Sequence, residues 1–187
     1  EKTSYKRGAT DFSSQVSKMQ ASGCDMIVLG TIIRETIGAI GTARKLGYNP
    51  TFLGSSAAYT DLIHKLGGPA MNGLYATSTV QNPYLDDASP AISFWAKKYK
   101  TKFNEDPTVF SVYGYNIVDT FAVAAGKAGA NLSTESFIKA MDTMKIPPDI
   151  FGSAEATFSP TKRLGSDASR LSQITDGKWK PVSEYFK

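Results

Sequence analysis

Residues 25–57, DMIVLGTIIRETIGAIGTARKLGYNPTFLGSSA, switch from a strand period to a helix period and back. Four apolar residues, 26–29, predict a strand, and Gly30-Thr31 a turn. An amphipathic stretch closed by Gly47 predicts a helix, and residues 51–53 a second short strand that ends in Gly54-Ser55-Ser56. The order is strand, helix, strand, with small polar residues where both strands end. In open parallel sheets, ligands bind outside the carboxyl ends of the strands.

The flanking patterns extend this unit. Phe12, Val16 and Met19 recur at helical spacing behind Thr10-Asp11, and Gly23 closes that helix. In the next helix Ile33, Ile37, Ile40 and Arg44 share a face, with Gly38 and Gly41 beside them. A glycine inside a helix costs about 1 kcal/mol against alanine, so the pair predicts close approach to a sheet. Leu62, Ile63 and Leu66 mark a short helix closed by Gly67-Gly68, and residues 73–79 read as a third strand. Strands separated by helices in this rhythm predict right-handed crossovers and a parallel sheet.

The character changes at Gln81-Asn82-Pro83-Tyr84. Ser89-Pro90 predicts a helix start, with Ile92, Trp95, Tyr99 and Phe103 forming an aromatic stripe expected to pack in a core. The helix of residues 109–127 is apolar nearly all round and is expected to be deeply buried. A third helix is expected over residues 134–144. Residues 151–158 and 170–175 then alternate as strands, and Asp176-Gly177 is a type I′ hairpin signal before Trp179. Three parallel strands are few for so many helices. The chain is therefore expected to be incomplete, lacking sheet that its helices should cover.

Composition narrows the chemistry. The 187 residues are 41% hydrophobic and 20% charged, with net charge +4. Such a balance belongs to a globular domain. The one dense basic run, Lys97-Lys98-Tyr99-Lys100 with Lys102, lies on a predicted helix and reads as a solvated face rather than a nucleic-acid patch. One cysteine, Cys24, permits no internal disulfide, and one histidine, His64, leaves no multi-histidine metal site. No apolar run approaches the roughly 18 residues of a membrane helix. The opening Glu1-Lys2-Thr3 fits a processed secreted protein, a cytosolic one or a fragment. No nucleophile elbow occurs, and Gly38-Ala39-Ile40-Gly41 lies within a helix, the wrong setting for a phosphate loop.

The order of Thr10-Asp11-Phe12-Ser13, Asp25-Met26-Ile27-Val28-Leu29-Gly30, Ala43-Arg44-Lys45-Leu46-Gly47 and Phe52-Leu53-Gly54 resembles the second lobe of periplasmic solute-binding proteins of ABC transporters, the leucine/isoleucine/valine-binding branch. Tyr113-Gly114-Tyr115-Asn116 resembles that family's Tyr-Gly-Tyr-Asp segment, with Asn116 in place of the usual Asp. The resemblance implies an α/β chain of the type I periplasmic-binding-protein fold: a Rossmann-like parallel-sheet lobe plus part of a second lobe. Residues 1–80 would form most of lobe two, 81–150 helices of lobe one, and 151–187 a closing segment that crosses back. The amino-terminal half of lobe one would be absent, to be completed by another chain or by exchange between copies.

Position and resemblance together nominate site residues. Thr31, Ile32 and Ile33 precede a helix whose N-terminal N–H groups suit a carboxylate, although the same residues serve as an ordinary cap. Family members often carry an aromatic residue near Ile32 or Ile33; isoleucines imply an apolar wall. Ser55, Ser56 and Ala57 follow the second strand, as a ligand contact or a simple turn. In amino-acid-binding members an acid near Ser56 holds the ligand ammonium, and serine there favours a ligand without one. Tyr113 and Tyr115 match cleft positions, or else are core tyrosines. His64 reads as a surface residue. The implied function is a periplasmic, non-enzymatic binding component of an ABC importer that captures a small carboxylic acid, aromatic or branched, by hinge closure. Its partner is the membrane permease, with no cofactor, metal or nucleic acid. A ligand-sensing regulatory domain, a branched-chain amino-acid-binding protein and an α/β enzyme are the alternatives.

Overall fold

Along the chain run α1 (Ser13–Ala21), β1 (Met26–Leu29), α2 (Ile33–Lys45), β2 (Thr51–Gly54), α3 (Asp61–Gly67), β3 (Tyr75–Ser78), α4 (Pro90–Phe103), α5 (Val109–Ala128), α6 (Thr134–Met141), β4 (Lys145–Ile146), β5 (Ala156–Thr157), β6 (Arg170–Thr175) and β7 (Lys178–Pro181). The computed structural model describes all residues, 1–187, and they divide into two units. The first holds residues 1–78 and 170–184, the second 79–169 and 185–187. The chain thus passes between them three times, and residues 151–169 stay with the second unit.

The first unit is built on one five-stranded sheet in the order β1-β2-β3-β6-β7. Its core β1-β2-β3 is parallel, as the crossover rhythm predicts, and β6 and β7 extend it antiparallel. Strand side chains alternate between faces. Ile27, Leu29, Phe52, Ala76, Ser172 and Ile174 are buried, while Met26 and Val28 are 53% and 70% exposed. Each fully buried Phe or Ile contributes about 1.5–3 kcal/mol. The guanidinium of Arg44 on α2 lies 5.4 Å above the Phe52 ring centroid, which sets that helix over β2. The β6–β7 hairpin turns through Asp176 (φ 53) and Gly177 (φ 71), the two positive dihedrals of a type I′ turn.

The buried face of α2 runs Thr36, Ala39, Ile40 and Ala43, one step round from the expected Ile33-Ile37-Ile40-Arg44 face. The glycine argument holds at one position and for another neighbour. A Cβ on Gly38 would stand 2.7 Å from the Phe12 ring, ahead of α1, whereas one on Gly41 would meet nothing within 4 Å. Asp11 holds the start of α1 by accepting from the amide and hydroxyl of Ser13 at 2.9 and 2.7 Å.

The second unit contains α4, α5, α6 and the two-stranded β4–β5 sheet. Ser89 caps α4, accepting from the Ile92 amide at 3.5 Å with Pro90 at the first turn. Thr108 and Ser111 form a capping box on α5. Two expectations fail here. Along α5 only Val109, Val112 and Ala124 are buried, and Ile117 and Val118 are 71% and 65% exposed. An all-apolar helix is buried only where layers cover both sides, and this unit has too little sheet to do so. In the α4 stripe Ile92 is buried, Trp95 and Tyr99 are half-buried, and Phe103 is 54% exposed. Trp95, Tyr99 and Phe103, with Tyr115 and Val118, line an open apolar hollow of about 910 Å³. Residues 142–144 leave α6 in a turn, and of residues 151–158 only Ala156–Thr157 pair as a strand.

Candidate functional site

In the first unit β1 and β2 end level, because Leu29 pairs with Gly54, while β3 runs two residues past Ala76, the partner of Gly54, to Ser78. Thr31 and Ser55 therefore follow two neighbouring strand ends, with Thr77 beside them within β3. Adjacent strands of a sheet stand about 5 Å apart. The roles of these residues differ. Thr31 is buried, its hydroxyl 2.6 Å from that of Thr36. It also borders a small cavity of about 100 Å³ beside Tyr5, whose hydroxyl donates to the Gly30 carbonyl at 3.2 Å. Ile32 is exposed and Ile33 half-buried. Ser55, Ser56 and Ala57 are all exposed, and Ser55 Oγ accepts from the Ala57 amide at 3.3 Å, starting a single turn of 3-10 helix. Ser78, at the end of β3, is buried with its hydroxyl 2.8 Å from that of Ser172.

Sequence reasoning missed the charge at the start of α2. Glu35 is buried, and its Oε1 accepts from the Gly8 amide at 3.2 Å. Hydrogen bonds from its own backbone amide and from that of Gly8, then the Arg34 and Arg7 charges, hold its carboxyl below the usual carboxylate range. Its Oε2 is buried without a hydrogen-bond partner. The positive end of the helix dipole thus already faces a carboxylate. The only sequence signal was an acidic residue in the first turn of a predicted helix.

In the second unit the two tyrosines part company. Side chains two apart on a helix point about 200° apart. Tyr115 stands edge-on to Trp95 and Phe151, at centroid distances of 5.6 and 6.0 Å, and lines the apolar hollow. Tyr113 lines a different cavity of about 570 Å³ with Thr79, Asn116, Thr120, Ser153 and Ser166. Burial raises the Tyr113 phenol above its ordinary value, against a smaller lowering by a hydrogen bond with the Thr79 side chain. The named polar groups are all hydroxyls and one amide, so this surface suits neutral or hydrogen-bonding ligand groups. Tyr113 and Asn116 lie inside the Tyr-Gly-Tyr-Asn segment; Thr79, Thr120, Ser153 and Ser166 carried no local signal.

No group of three His, Cys, Asp or Glu side chains is placed to hold a metal ion. No helix is long and apolar enough to cross a membrane. The lysines of α4 lie toward solvent, Lys100 pairing with Asp106 at 2.8 Å.

Comparison with known proteins agrees with the architecture. Residues 1–178 match the family model described as periplasmic binding protein. A Pseudomonas aeruginosa protein named as an amino acid binding protein is 27% identical over 127 residues, 67% of this chain and 33% of its own. The structure of a branched-chain amino acid ABC transporter protein from Thermus thermophilus with bound valine superposes with a TM-score of 0.82, at 18% identity, over 98% of this chain and 51% of its own. A fatty acid ABC transporter substrate-binding protein from Thermomonospora curvata gives a TM-score of 0.79, at 23% identity, over 97% of this chain and 48% of its own. The chain spans about half the length of these solved relatives and a third of the curated one.

Proposed function

Because the chain belongs to the periplasmic binding protein family, we propose that it forms part of the extracytoplasmic ligand-binding component of an ABC importer, for a small carboxylic acid of aromatic or branched-chain type. The observation that carries the ligand class is the level pair of strand ends, those of β1 and β2, in the first unit. It offers hydroxyls at Thr31, Ser55 and Ser56 and apolar surface at Ile32, Ile33 and Ala57, with no carboxylate at the second strand end. An ammonium brought there would lose water without gaining a counter-charge, which costs several kcal/mol. In the second unit Tyr113 and its hydroxyl-lined cavity are the candidate contact surface, with Tyr115 contributing through the aromatic cluster. Capture would follow hinge closure about the three crossings, and the closed form would dock on the membrane permease. Of the three relatives described above, two are named for amino acids and one for fatty acids.

The exposed apolar faces of α4 and α5 fit covering by polypeptide beyond residues 1–187, which would complete the second unit. A ligand-sensing domain of the same fold uses the same surfaces without a permease.

A branched-chain amino acid is the second reading. It is favoured by Glu35, whose Oε2 is buried without a partner in the first turn after Thr31 and could receive an ammonium. Mass spectrometry of ligand released from the purified full-length protein, followed by calorimetry with matched acids and amino acids, decides between them. Submicromolar binding of leucine or phenylalanine, with none of the matching acids lacking the amino group, would overturn the leading reading. Binding of neither class would remove both.

A further inference from the structure

Asp149 organises a tight loop over residues 149–153. Its Oδ1 accepts from the amides of Phe151 and Ser153 at 2.9 and 3.1 Å, and its own amide donates to Ser153 Oγ at 3.2 Å. Its second oxygen, Oδ2, accepts from Asn116 Nδ2 on α5 at 2.7 Å. Around this loop the second unit is drawn together. The Phe151 carbonyl accepts from the Gln81 amide at 2.9 Å. The Tyr185 hydroxyl lies 2.6 Å from the Gly152 carbonyl and 2.7 Å from that of Thr79, so its one proton is shared between them. Thr79 and Tyr185 are the residues at which the chain enters the second unit on its first and third crossings. Asn116 and Ser153 line the same cavity as Tyr113.

The geometry points to Asn116 as a positioning residue: by donating to Asp149 it sets the loop that forms one wall of this cavity and anchors two crossings. The chemistry requires an amide. A carboxylate at 116 would set two acceptors against each other across the 2.7 Å that the present bond spans. An apolar side chain would leave Asp149 Oδ2 without this donor. The wall's relevance to a ligand rests on the function proposed above; the loop geometry does not.

The test uses the full-length protein without ligand, as Asn116→Leu, Asn116→Asp, and the swapped pair Asn116→Asp with Asp149→Asn. An asparagine at 149 keeps a carbonyl for the two loop amides and gains an NH2 to donate to the new carboxylate. Hydrogen exchange of the Phe151 and Ser153 amides is the readout. Both single variants are expected to exchange about 10- to 100-fold faster there, with amides of β1 and β2 unchanged. The swapped pair is expected to return to within about twofold of the parent. Unchanged protection in Asn116→Asp, or a swapped pair as fast as that single variant, would overturn the assignment. These rates need no ligand, so their outcome stands apart from whether the cavity takes one.

Discussion

The hydroxyls of Thr31 and Thr36 lie 2.6 Å apart, one at the end of β1 and the other a turn into α2, and both residues are buried. One hydroxyl donates and the other accepts, so the pair leaves a single proton for a further partner. Removing one member strands the other, whereas removing both removes the need. Thr36→Val is therefore expected to cost about 1–3 kcal/mol of stability, and the double variant Thr31→Val/Thr36→Val less than Thr36→Val alone. Urea denaturation of the three proteins checks it. Additive losses would show that the hydroxyls act separately.

Two glycines of one helix should respond oppositely to alanine. At Gly38 the new Cβ would stand 2.7 Å from the Phe12 ring. Overpacking there costs about 1–3 kcal/mol, which outweighs the gain in helix propensity. At Gly41 nothing lies within 4 Å. Gly41→Ala is therefore expected to stabilise by about 0.5–1 kcal/mol. Thermal melts of both variants test the contrast.

Met26 to Leu29 announce β1 in the sequence because a short apolar run between Asp25 and Gly30 has few other uses. Asp176-Gly177 announces its hairpin because few residue pairs accept two positive φ angles. Ile117 and Val118 mislead because burial depends on which layers are present, and no local pattern records that. The strand ends Thr31 and Ser55 follow from topology. The divergence of Tyr113 and Tyr115 is implicit in the helical period. Glu35 against Gly8 and Asn116 against Asp149 are not readable, since each joins positions 27 and 33 apart through loop geometry.

His64 offers a clean titration, being the only histidine among residues 1–187. Burial lowers its pKa below 6.5, against a smaller upward pull from Asp61. A lowered folded value means that the unfolded chain takes the proton first. Its contribution to stability is thus whole above about pH 6.5 and falls as pH drops through the folded value. NMR titration of its ring should give a midpoint under about 6.5, and His64→Gln should flatten the loss of stability between about pH 7 and 5. A midpoint above that ordinary value would reverse the sign and refute the burial argument.

The ligand reading is open to engineering at Ser56. It is exposed, just beyond the second strand end. A carboxylate there would supply the counter-charge that an ammonium lacks. Ser56→Glu is expected to weaken carboxylic acids and to strengthen the matching amino acids, each by about tenfold or more. Calorimetry with one such pair reads both changes at once. Parallel weakening of both ligands would mean that Ser56 does not face the amino position.

The antiparallel strands β6 and β7 give the first unit an order of assembly that differs from its order of synthesis. Ser78 and Arg170 pair across β3 and β6, yet stand 92 positions apart, with the second unit emerging between them. At about 5–20 residues per second, the ribosome leaves the far edge of β3 unpaired for roughly 5–20 s. Through that interval Ser78 has no Ser172 to meet, and Trp179 has not yet reached the Thr60 carbonyl to which it donates at 2.9 Å. A nascent chain stalled before residue 170 therefore presents a naked strand edge to whatever chaperone or neighbour is at hand, and the last hairpin acts as the bolt that closes it.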